Sequence, residues 1–531
     1  MEAAFNLFHA GHRFRDSLQR AYENLPETLG YSLPGVEHLN PTLYKDDSSP
    51  KSSQSQSPVS LEYVFSPESH KATRKVLVVA EDEFGGSVVL SRAAQQWSKG
   101  KVLANTPFVL YVPMQKLAGK PFDLEDVLGT YSDSLQRNDN VHEHIAQNDG
   151  EDVVFLFDGL KESSVSAVDG IIHGTKFSKA SVYITCQPSV ATQLKSPSTT
   201  VVKVGRLSEE NVCNFLYSCF KDDTTKAKEI LQYCESLPTA KSLSRIPMHL
   251  AIVASIVGKA HLPDTETKLM QLIVLYTLRF AYTRGISQPP GSIELHSFDD
   301  LPAKEKQVFD NVCKLAFNLL LENRHHFSQQ DLPNCSPDCK VSSLLPSLLT
   351  TSQMLTEKGQ PTTVYHFIDP SIQGYLSALY LSCKVPPEQW YQCVADHGKE
   401  LLSNTLKFFC GIVGERAEFS DNFLRAFEMI AHIDYSSASQ KIGILPFHCA
   451  FEAGSAKACT SLIRTTDKVV HIQGGGEMLT PSDCSTIGYV INRTSLPVVA
   501  LDLTSCHFQS GCMTSLVAQL EEPLHAVRRF Q

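Results

Sequence analysis

The chain has 531 residues, of which 42% are hydrophobic and 20% are charged, and its formal net charge is −10 at pH 7. This length suggests three or four domains with sizeable cores, and the mild acidity argues against a dominant nucleic-acid surface. No apolar run approaches the roughly 18 residues of a membrane span, and the first residues lack a signal-peptide core. The 15 cysteines are scattered through apolar stretches, which indicates buried free thiols and a cytoplasmic protein.

The N-terminal region divides into a helical part and a polar part. Residues 46–60, DDSSPKSSQSQSPVS, are too polar to bury a core and predict a flexible linker. Residues 1–30 contain an amphipathic helix candidate. Its apolar positions are Phe5, Phe8, Phe14, Leu18 and Tyr22.

Residues 75–205 alternate between short apolar runs and helical or irregular connections. The runs lie at 75–80, 108–114, 152–158, 180–186 and 199–205. Near-continuous apolar strands of this kind form parallel sheets that are covered on both faces. Ligands of such sheets bind at the carboxyl ends of the strands, where the turn at residues 80–87 lies.

The rest of the chain is mainly helical. Ser208, followed by Glu209 and Glu210, is typical of a helix N-terminus. Two helices and a short hairpin predict a winged-helix unit, and a further helical region follows it. In the tail, the leucine-rich-repeat spacing L-x-x-L-x-L-x-x-C is matched by Val498, Leu501, Leu503 and Cys506. One repeat cannot bury its own apolar face, so the segment is assigned as a vestigial repeat, which is either a capping remnant or a fragment of an array, with a chance match as the alternative.

Residues 80–87, AEDEFGGS, have the length of a phosphate-binding loop between a strand and a helix. Such a loop reads G-x-x-x-x-G-K-[ST]; its backbone N–H groups surround the phosphates and its lysine contacts the β- and γ-oxygens. Gly85 and Ser87 match this pattern, whereas Ala80 stands at the first glycine and Gly86 at the lysine. Taken alone, the segment also fits a strand-to-helix turn that uses the conformational freedom of its glycines.

Further motifs follow this loop in order. VVFLFDGLKE ends an apolar run in Asp158 and resembles the Walker B stretch of NACHT-type NTPases, which serves Mg²⁺ and water. ASVYITCQP resembles their sensor strand, and Pro247 matches a proline that packs near the adenine in that family. FIDPSIQGYLSALYL resembles their winged-helix ending, and the tail adds LDLTSC. Over roughly residues 70–510 the chain therefore resembles NACHT-domain STAND NTPases, specifically the nucleotide-binding, leucine-rich-repeat (NLR) receptors of innate immunity.

The resemblance implies a nucleotide site at positions that match the family motifs. These positions are Ala80, Gly85, Gly86, Ser87, Val88, Asp158, Gln187, Pro247 and Asp369. Of these, Ser87 and Asp158 are the implied ligands of Mg²⁺.

Several of these positions depart from the family pattern. Gly86 replaces the lysine, Lys161 replaces a second acid, and Gln187 replaces the sensor arginine, while Asp369 falls where the family has a histidine that touches the ADP phosphate. A lost charge-assisted hydrogen bond costs roughly 1.5–3 kcal/mol, which weakens binding about tenfold to a hundredfold. Glu83 and Asp369 add repulsion toward a triphosphate. We therefore predict a degenerate site with weak or absent binding of ATP, ADP and Mg²⁺ and no useful hydrolysis.

Several of these residues also have a purely structural explanation. Asp158 precedes a glycine and fits a turn cap, and the Ser87 hydroxyl needs no metal at a helix N-terminus. Pro247 fits the first turn of a helix. Asp369, which precedes Pro370, fits a helix N-cap.

Together the patterns predict an α/β domain with a P-loop NTPase-like parallel sheet, followed by all-α regions and a vestigial leucine-rich-repeat segment. The predicted boundaries are 1–45 for an N-terminal helical segment, 46–70 for a disordered linker, 71–206 for the NACHT-like domain, 207–297 for a helical domain, 298–380 for the winged helix, 381–470 for a second helical domain and 471–531 for the repeat-like segment.

The favoured hypothesis is an NLR-like protein that acts as a scaffold or regulator through protein partners. The partners implied are further copies of the chain or NLR relatives, with no nucleic acid and no membrane span. Two alternatives remain at this stage. One is a working ATP/ADP-dependent switch of the same fold, and the other is a helical interaction protein that uses no nucleotide.

Overall fold

The structure, a computed structural model, describes most of the chain in two compact units. Residues 1–228, 244–258 and 350–363 belong to the first unit, and residues 229–243, 259–349 and 364–531 belong to the second. The described residues are 14–22, 42–45, 58–66, 75–80, 86–114, 121–130, 141–161, 164–196, 198–257, 262–285, 297–322, 324, 326–328, 331, 348–355, 361–398, 401, 403–416, 420–436, 441–466, 468–472, 478–503 and 506–520.

A seven-stranded sheet forms the centre of the first unit. Its strands are β1 Thr42–Lys45, β2 Pro58–Val59, β3 Lys75–Val79, β4 Phe108–Pro113, β5 Val153–Leu160, β6 Ser181–Cys186 and β7 Thr199–Gly205. The order is β2-β1-β7-β3-β6-β5-β4. Strands β3 to β7 are parallel, whereas β1 and β2 pair antiparallel at one edge. The five predicted apolar runs are all strands, and the predicted parallel sheet is confirmed.

Helices alternate with these strands and then succeed them. They are α1 Leu61–Val64, α2 Gly86–Ser98, α3 Leu124–Thr130, α4 Val141–Gln147, α5 Val165–Ile172, α6 Pro188–Leu194, α7 Glu209–Cys219, α8 Thr224–Ser236, α9 Pro238–Ser244 and α10 Pro247–Val257. Helix α2 packs on β4, β5 and β6. Its inward face carries Val89, Ala93 and Trp97, which are buried at the spacing of an amphipathic helix.

Two N-terminal pieces also pack in the first unit. Residues 14–22 are helical, and the predicted apolar positions Phe14, Leu18 and Tyr22 are buried. The Tyr22 hydroxyl donates to the Val109 carbonyl of β4 at 2.9 Å. The other predicted positions, Phe5 and Phe8, lie outside the described residues.

Part of the predicted linker has regular structure. Strand β2 and helix α1 fall within residues 58–66, and Ser60 caps α1 by accepting a hydrogen bond from the Tyr63 N–H at 3.2 Å. Phe65 is buried and its ring stacks on Tyr183 with centroids 4.6 Å apart. Composition suggested a linker because the preceding polar residues outweigh this short apolar stretch. Residues 46–57 lie outside the described part of the chain.

The second unit is mainly helical. Most of α8 and α9 belongs to it, and its further helices are α11 Glu266–Gly285, α12 Ala303–Leu321, α13 Pro370–Lys384, α14 Pro387–His397, α15 Ser403–Glu415, α16 Asp421–Ile433, α17 Leu445–Ala453, α18 Ala456–Thr465, α19 Pro481–Arg493 and α20 Cys512–Gln519. The remaining strands of the chain are β8 Phe327–Ser328, β9 Leu349–Leu355, β10 Pro361–Phe367, β11 Tyr435–Ser436, β12 Lys441–Ile442, β13 Val469–His471, β14 Met478–Leu479, β15 Ala500–Asp502 and β16 His507–Phe508. Of these, residues 350–355 and 361–363 belong to the first unit.

The later strands form small sheets within the second unit. β8 pairs antiparallel with β10 at Val364 and Tyr365, β11 pairs antiparallel with β12, and β13 pairs parallel with β15 as β14 does with β16. The winged-helix and leucine-rich-repeat assignments, like the predicted domain boundaries, stay predictions. No helix in the described ranges combines the length and apolar character needed to span a bilayer.

A buried polar network fixes the start of α11. The Glu452 carboxylate of α17 accepts hydrogen bonds from the backbone N–H groups of Glu266 and Thr267 at 2.9 and 3.0 Å. The Glu266 carboxylate accepts the Lys407 ammonium of α15 at 2.6 Å. Burial raises the pKa of Glu452, although the hydrogen bonds from Thr267 act in the opposite direction. The network joins α11, α15 and α17 within the second unit.

Candidate functional site

The candidate site begins where β3 ends. Strand β3 is completely buried between β6 and β7, and the Ala80 N–H continues its pairing by donating to the Cys186 carbonyl at 3.0 Å. Residues 81–85, including the predicted site residue Gly85 and the acidic Glu83, lie outside the described residues. The next described residue is Gly86, which is the first residue of α2.

Gly86 approaches β3 so closely that a side chain would not fit. A Cβ built at this position would lie 2.9 Å from the Ala80 Cβ and 3.7 Å from the Thr185 Cβ. Carbon atoms pack best at roughly 3.5–4.0 Å, so the Ala80 methyl group occupies the space that a side chain at position 86 requires. Position 86, which the sequence pattern predicts to correspond to the lysine of a phosphate-binding loop, is therefore closed to a side chain by Ala80.

The start of α2 retains some capacity for an anion. Ser87 is half-buried in the first turn, Val88 is buried behind it, and the first turn carries no acidic residue. The free N–H groups and dipole of a helix N-terminus attract negative charge, typically by about 0.3–1 kcal/mol at exposed sites. This contribution is smaller than that of a charge-assisted hydrogen bond from a lysine.

Asp158 lies on the neighbouring strand β5 and is engaged by protein hydroxyl groups. Its Oδ2 accepts from the Tyr111 hydroxyl of β4 at 2.6 Å, and its Oδ1 accepts from the Thr185 hydroxyl of β6 at 2.7 Å. The residue is 8% exposed. Each carboxylate oxygen thus already has a protein donor, and a Mg²⁺ ion at this carboxylate would have to compete with both.

The backbone after Asp158 adapts to these contacts. The pairing of β5 with β6 shifts register between Phe157 and Leu160, and Gly159 has a φ of +74°. Its N–H donates to the Thr185 hydroxyl at 2.7 Å, so this hydroxyl bridges two successive residues. Only glycine adopts such a φ without strain. The Asp-Gly pair is therefore required by the local geometry whether or not a metal binds.

Gln187 and Pro247 start helices. Gln187 is the N-cap residue of α6, and its side chain makes no capping hydrogen bond there. Pro247 is the buried first residue of α10. The segment before it is tied to the end of β7, because the Leu207 N–H donates to the Arg245 carbonyl at 2.7 Å and the Arg245 Nε donates to the Leu207 carbonyl at 3.0 Å. A nucleotide contact for either residue stays a prediction.

Asp369 belongs to the second unit, where it is the N-cap of α13. Its Oδ1 accepts from the Ser371 N–H at 2.9 Å, and its Oδ2 accepts from the Ser242 hydroxyl of α9 at 3.0 Å. The residue is 1% exposed. The structural role predicted for this aspartate is thus present, and both oxygens are used by the protein.

The structure brings four of the predicted residues together and adds two that the motifs did not indicate. Ala80, Gly86 and Asp158 all meet around Thr185, and Ser87 follows Gly86. Tyr111 and Thr185 are the additions. A tyrosine inside the apolar run FVLYVP was a usable signal, since a buried phenol needs a hydrogen-bond partner. Among the described residues no cluster of three or more His, Cys, Asp or Glu side chains is suited to hold a metal ion.

Comparisons with known proteins give a family match for part of the chain and relatives of low sequence identity. The NACHT domain family matches residues 76–223. Protein NLRC3 of Mus musculus is 20% identical over 409 residues, which cover 68% of this chain and 38% of that protein. NLR family CARD domain-containing protein 4 of Bos taurus is 22% identical over 315 residues, which cover 58% of this chain and 29% of that protein. The chain therefore spans about a third of the length of these relatives.

One solved structure also matches the chain. It is a STAND (Signal Transduction ATPase with Numerous Domains) protein with a tetratricopeptide repeat sensor from Pyrococcus horikoshii, 11% identical, with 86% of this chain and 57% of that chain covered. The TM-score is 0.25, and at that value the superposition supports no structural conclusion.

Proposed function

We propose that the chain, whose residues 76–223 match the NACHT domain family, is an NLR-like STAND protein that acts in intracellular signalling as a scaffold or regulator, through contacts with other proteins and not through nucleotide turnover. NACHT domains in general bind nucleotides. In this chain we propose that binding of ATP, ADP and Mg²⁺ is weak or absent and that ATP is not usefully hydrolysed.

The close approach of Gly86 to Ala80 carries this proposal. A cation at this position would stabilise the β- and γ-phosphate oxygens, but the 2.9 Å between a built Cβ and the Ala80 Cβ leaves no room for its side chain. Phosphoryl transfer depends almost entirely on positioning and electrostatic stabilisation of the transferred group. Without the lysine, the N-terminus of α2 and the Ser87 hydroxyl remain as phosphate ligands.

The arrangement around Asp158 supports the same conclusion for the metal. Mg²⁺ binds through carboxylates and substrate phosphates and demands near-ideal octahedral geometry. The Asp158 oxygens are instead oriented by Tyr111 and Thr185, which donate at 2.6 and 2.7 Å. We therefore assign Asp158 a structural role that connects β4, β5 and β6.

Asp369 supports the proposal from the second unit. A buried carboxylate that already accepts bonds from Ser371 and Ser242 cannot donate to a phosphate, and its charge repels one. We propose that the hydrogen bond from Ser242 to Asp369 joins α9 to the start of α13 without a nucleotide.

Thermal unfolding with and without nucleotide tests the proposal. A ligand at about 100 times its Kd stabilises the folded state by roughly 2.7 kcal/mol, so binding at micromolar affinity is readily seen with millimolar Mg-ATP or Mg-ADP. We expect no shift of the midpoint for the wild-type chain. The double variant Ala80→Gly/Gly86→Lys is the matched control, because it opens the space and supplies the cation. A rise of several degrees in the wild-type chain would instead favour the working ATP/ADP switch.

A further inference from the structure

Strand β4 lies at one edge of the seven-stranded sheet of the first unit, and its neighbour among the described strands is β5, which pairs with it in parallel. Along such a strand the backbone groups of successive residues point alternately to its two sides. The Phe108 N–H donates to the Asp152 carbonyl beside β5 at 3.1 Å. The backbone groups of Val109 and Tyr111 therefore point away from β5, toward the outer side of the sheet.

A tyrosine hydroxyl occupies this outer side. The Tyr22 hydroxyl donates to the Val109 carbonyl and accepts from the Tyr111 N–H, and both distances are 2.9 Å. In a parallel sheet a single residue of the next strand makes this pair of bonds, because its N–H donates to one residue and its carbonyl accepts from the residue two positions further on. The Tyr22 hydroxyl thus reproduces the contacts of one residue of a neighbouring strand.

The helical residues 14–22, which we call the N-terminal cover, hold this hydroxyl in place through side-chain contacts. Phe14 is buried, and its ring centroid lies 5.9 Å from that of Phe108 at the start of β4. The Arg15 guanidinium lies 5.8 Å from the ring centroid of Trp97 on α2. Since these contacts are made by side chains, the N-terminal cover can leave β4 without unpairing it from β5.

The sequence of β4 is suited to pairing with another copy of itself. Residues 108–112 read FVLYV, which is uncharged and consists of aromatic, β-branched and aliphatic residues. Identical segments of this composition pair with one another when their backbone groups are accessible, and an open edge strand is a template for a second chain. The N-terminal cover keeps this edge from being such a template.

We propose that the N-terminal cover is detachable, that the Tyr22 hydroxyl holds it closed, and that its release lets β4 of one copy pair with β4 of a second copy. The inference does not depend on the state of the nucleotide site. Because one hydroxyl makes both bonds to the edge of the sheet, its removal leaves two buried backbone groups without this partner. Such groups are costly to keep buried, so the open arrangement becomes more populated.

Hydrogen–deuterium exchange of the full chain, read by mass spectrometry, tests the hold of the N-terminal cover. At low protein concentration, Tyr22→Phe should raise the exchange rate of the peptide that contains residues 108–113 by about tenfold or more, because the phenylalanine ring cannot accept the Tyr111 N–H. Peptides from the second unit should exchange at the wild-type rate, which shows that the variant is folded.

Sedimentation velocity at increasing protein concentration tests the pairing of copies. Tyr22→Phe should form larger species at concentrations at which the wild-type chain does not. In those species the peptide with residues 108–113 should exchange about tenfold more slowly again, because the second strand restores the lost hydrogen bonds. Phe14→Ala opens the N-terminal cover by another route, the loss of its contact with Phe108, and should associate in the same way.

Tyr111→Phe is the matched control. It removes a buried hydroxyl from β4 itself, where that hydroxyl donates to Asp158, but leaves the backbone bond between Tyr111 and Tyr22 intact. This variant should sediment like the wild-type chain, and equal association of it would overturn the proposal, because general loss of stability would then be the cause. The proposal also fails if Tyr22→Phe does not associate, or if it associates while residues 108–113 still exchange rapidly.

Discussion

The contact between Gly86 and Ala80 makes a quantitative prediction about stability. Gly86→Ala places a methyl carbon 2.9 Å from the Ala80 Cβ, which is about 0.6–1.1 Å inside the best carbon–carbon distance. Overpacking of this kind costs typically about 1–3 kcal/mol. Replacing glycine by alanine in a helix returns at most about 1 kcal/mol. If the full helix gain is realised, the net loss is about 0–2 kcal/mol, for a substitution that would otherwise stabilise a helix.

The effect of removing the Ala80 methyl group on stability should depend on which residue occupies position 86. Ala80→Gly alone removes a buried methyl group worth about 0.8 kcal/mol and adds roughly 0.5–1 kcal/mol of backbone entropy. In the double variant Ala80→Gly/Gly86→Ala one methyl group replaces the other, so most of the steric cost disappears. The expected coupling energy is about 1–2 kcal/mol in favour of the double variant.

A double-mutant cycle measured by thermal unfolding tests this reasoning. For a unit of about 150–250 residues, 1 kcal/mol shifts the midpoint by about 2–4 °C, which is easily measured. The double variant should unfold at a higher temperature than the sum of the two single changes predicts. Additive effects within about 0.5 kcal/mol would refute the close contact and with it the argument that position 86 is closed.

Three further predictions concern the buried carboxylates. Tyr111→Phe should lower the free energy of unfolding by about 1.5–3 kcal/mol in a denaturant titration, because Asp158 loses a hydroxyl donor to a charged group; an unchanged value would contradict the Asp158 geometry. Asp369→Ala should destabilise by about 0.5–2 kcal/mol through the lost cap of α13, and it also removes the hydrogen bond from Ser242; an accompanying change in ADP affinity would contradict a purely structural Asp369. Burial raises the pKa of Glu452, so the folded protein binds a proton at this carboxyl group more readily than the unfolded chain does. The stability that this proton contributes is present at acidic pH and is lost as the pH rises from about 4.5 through the pKa of the folded state. Glu452→Gln should flatten the pH dependence of the free energy of unfolding in this range. An identical pH dependence in the variant would contradict this role of Glu452.

Local sequence patterns identify the strands of the first unit well. The apolar runs at 75–80 and 199–205 correspond to β3 and β7 at Lys75–Val79 and Thr199–Gly205. The reason is physical, since a strand that is buried on both faces needs a continuous run of apolar residues. The same rule missed β2 and α1, because this segment has few apolar residues and those few are sufficient for it to pack on Tyr183.

The contacts that define the candidate site could not be predicted in this way. Tyr111 and Asp158 are far apart in the sequence and meet only because β4 and β5 pair in register. The closure of position 86 depends on how near the start of α2 lies to Ala80, which no local pattern encodes. Glu452 likewise caps the N-terminus of α11 from α17, a contact that exists only in the folded second unit.

Direct titration of the wild-type chain with Mg-ADP in a calorimeter tests the central claim most directly. The closed position 86 predicts no saturable binding with a Kd below about 1 mM, which corresponds to less than roughly 4.1 kcal/mol of binding free energy. Mass spectrometry of the purified protein should accordingly find no retained nucleotide. A micromolar Kd, or ADP that remains bound through purification, would contradict the account.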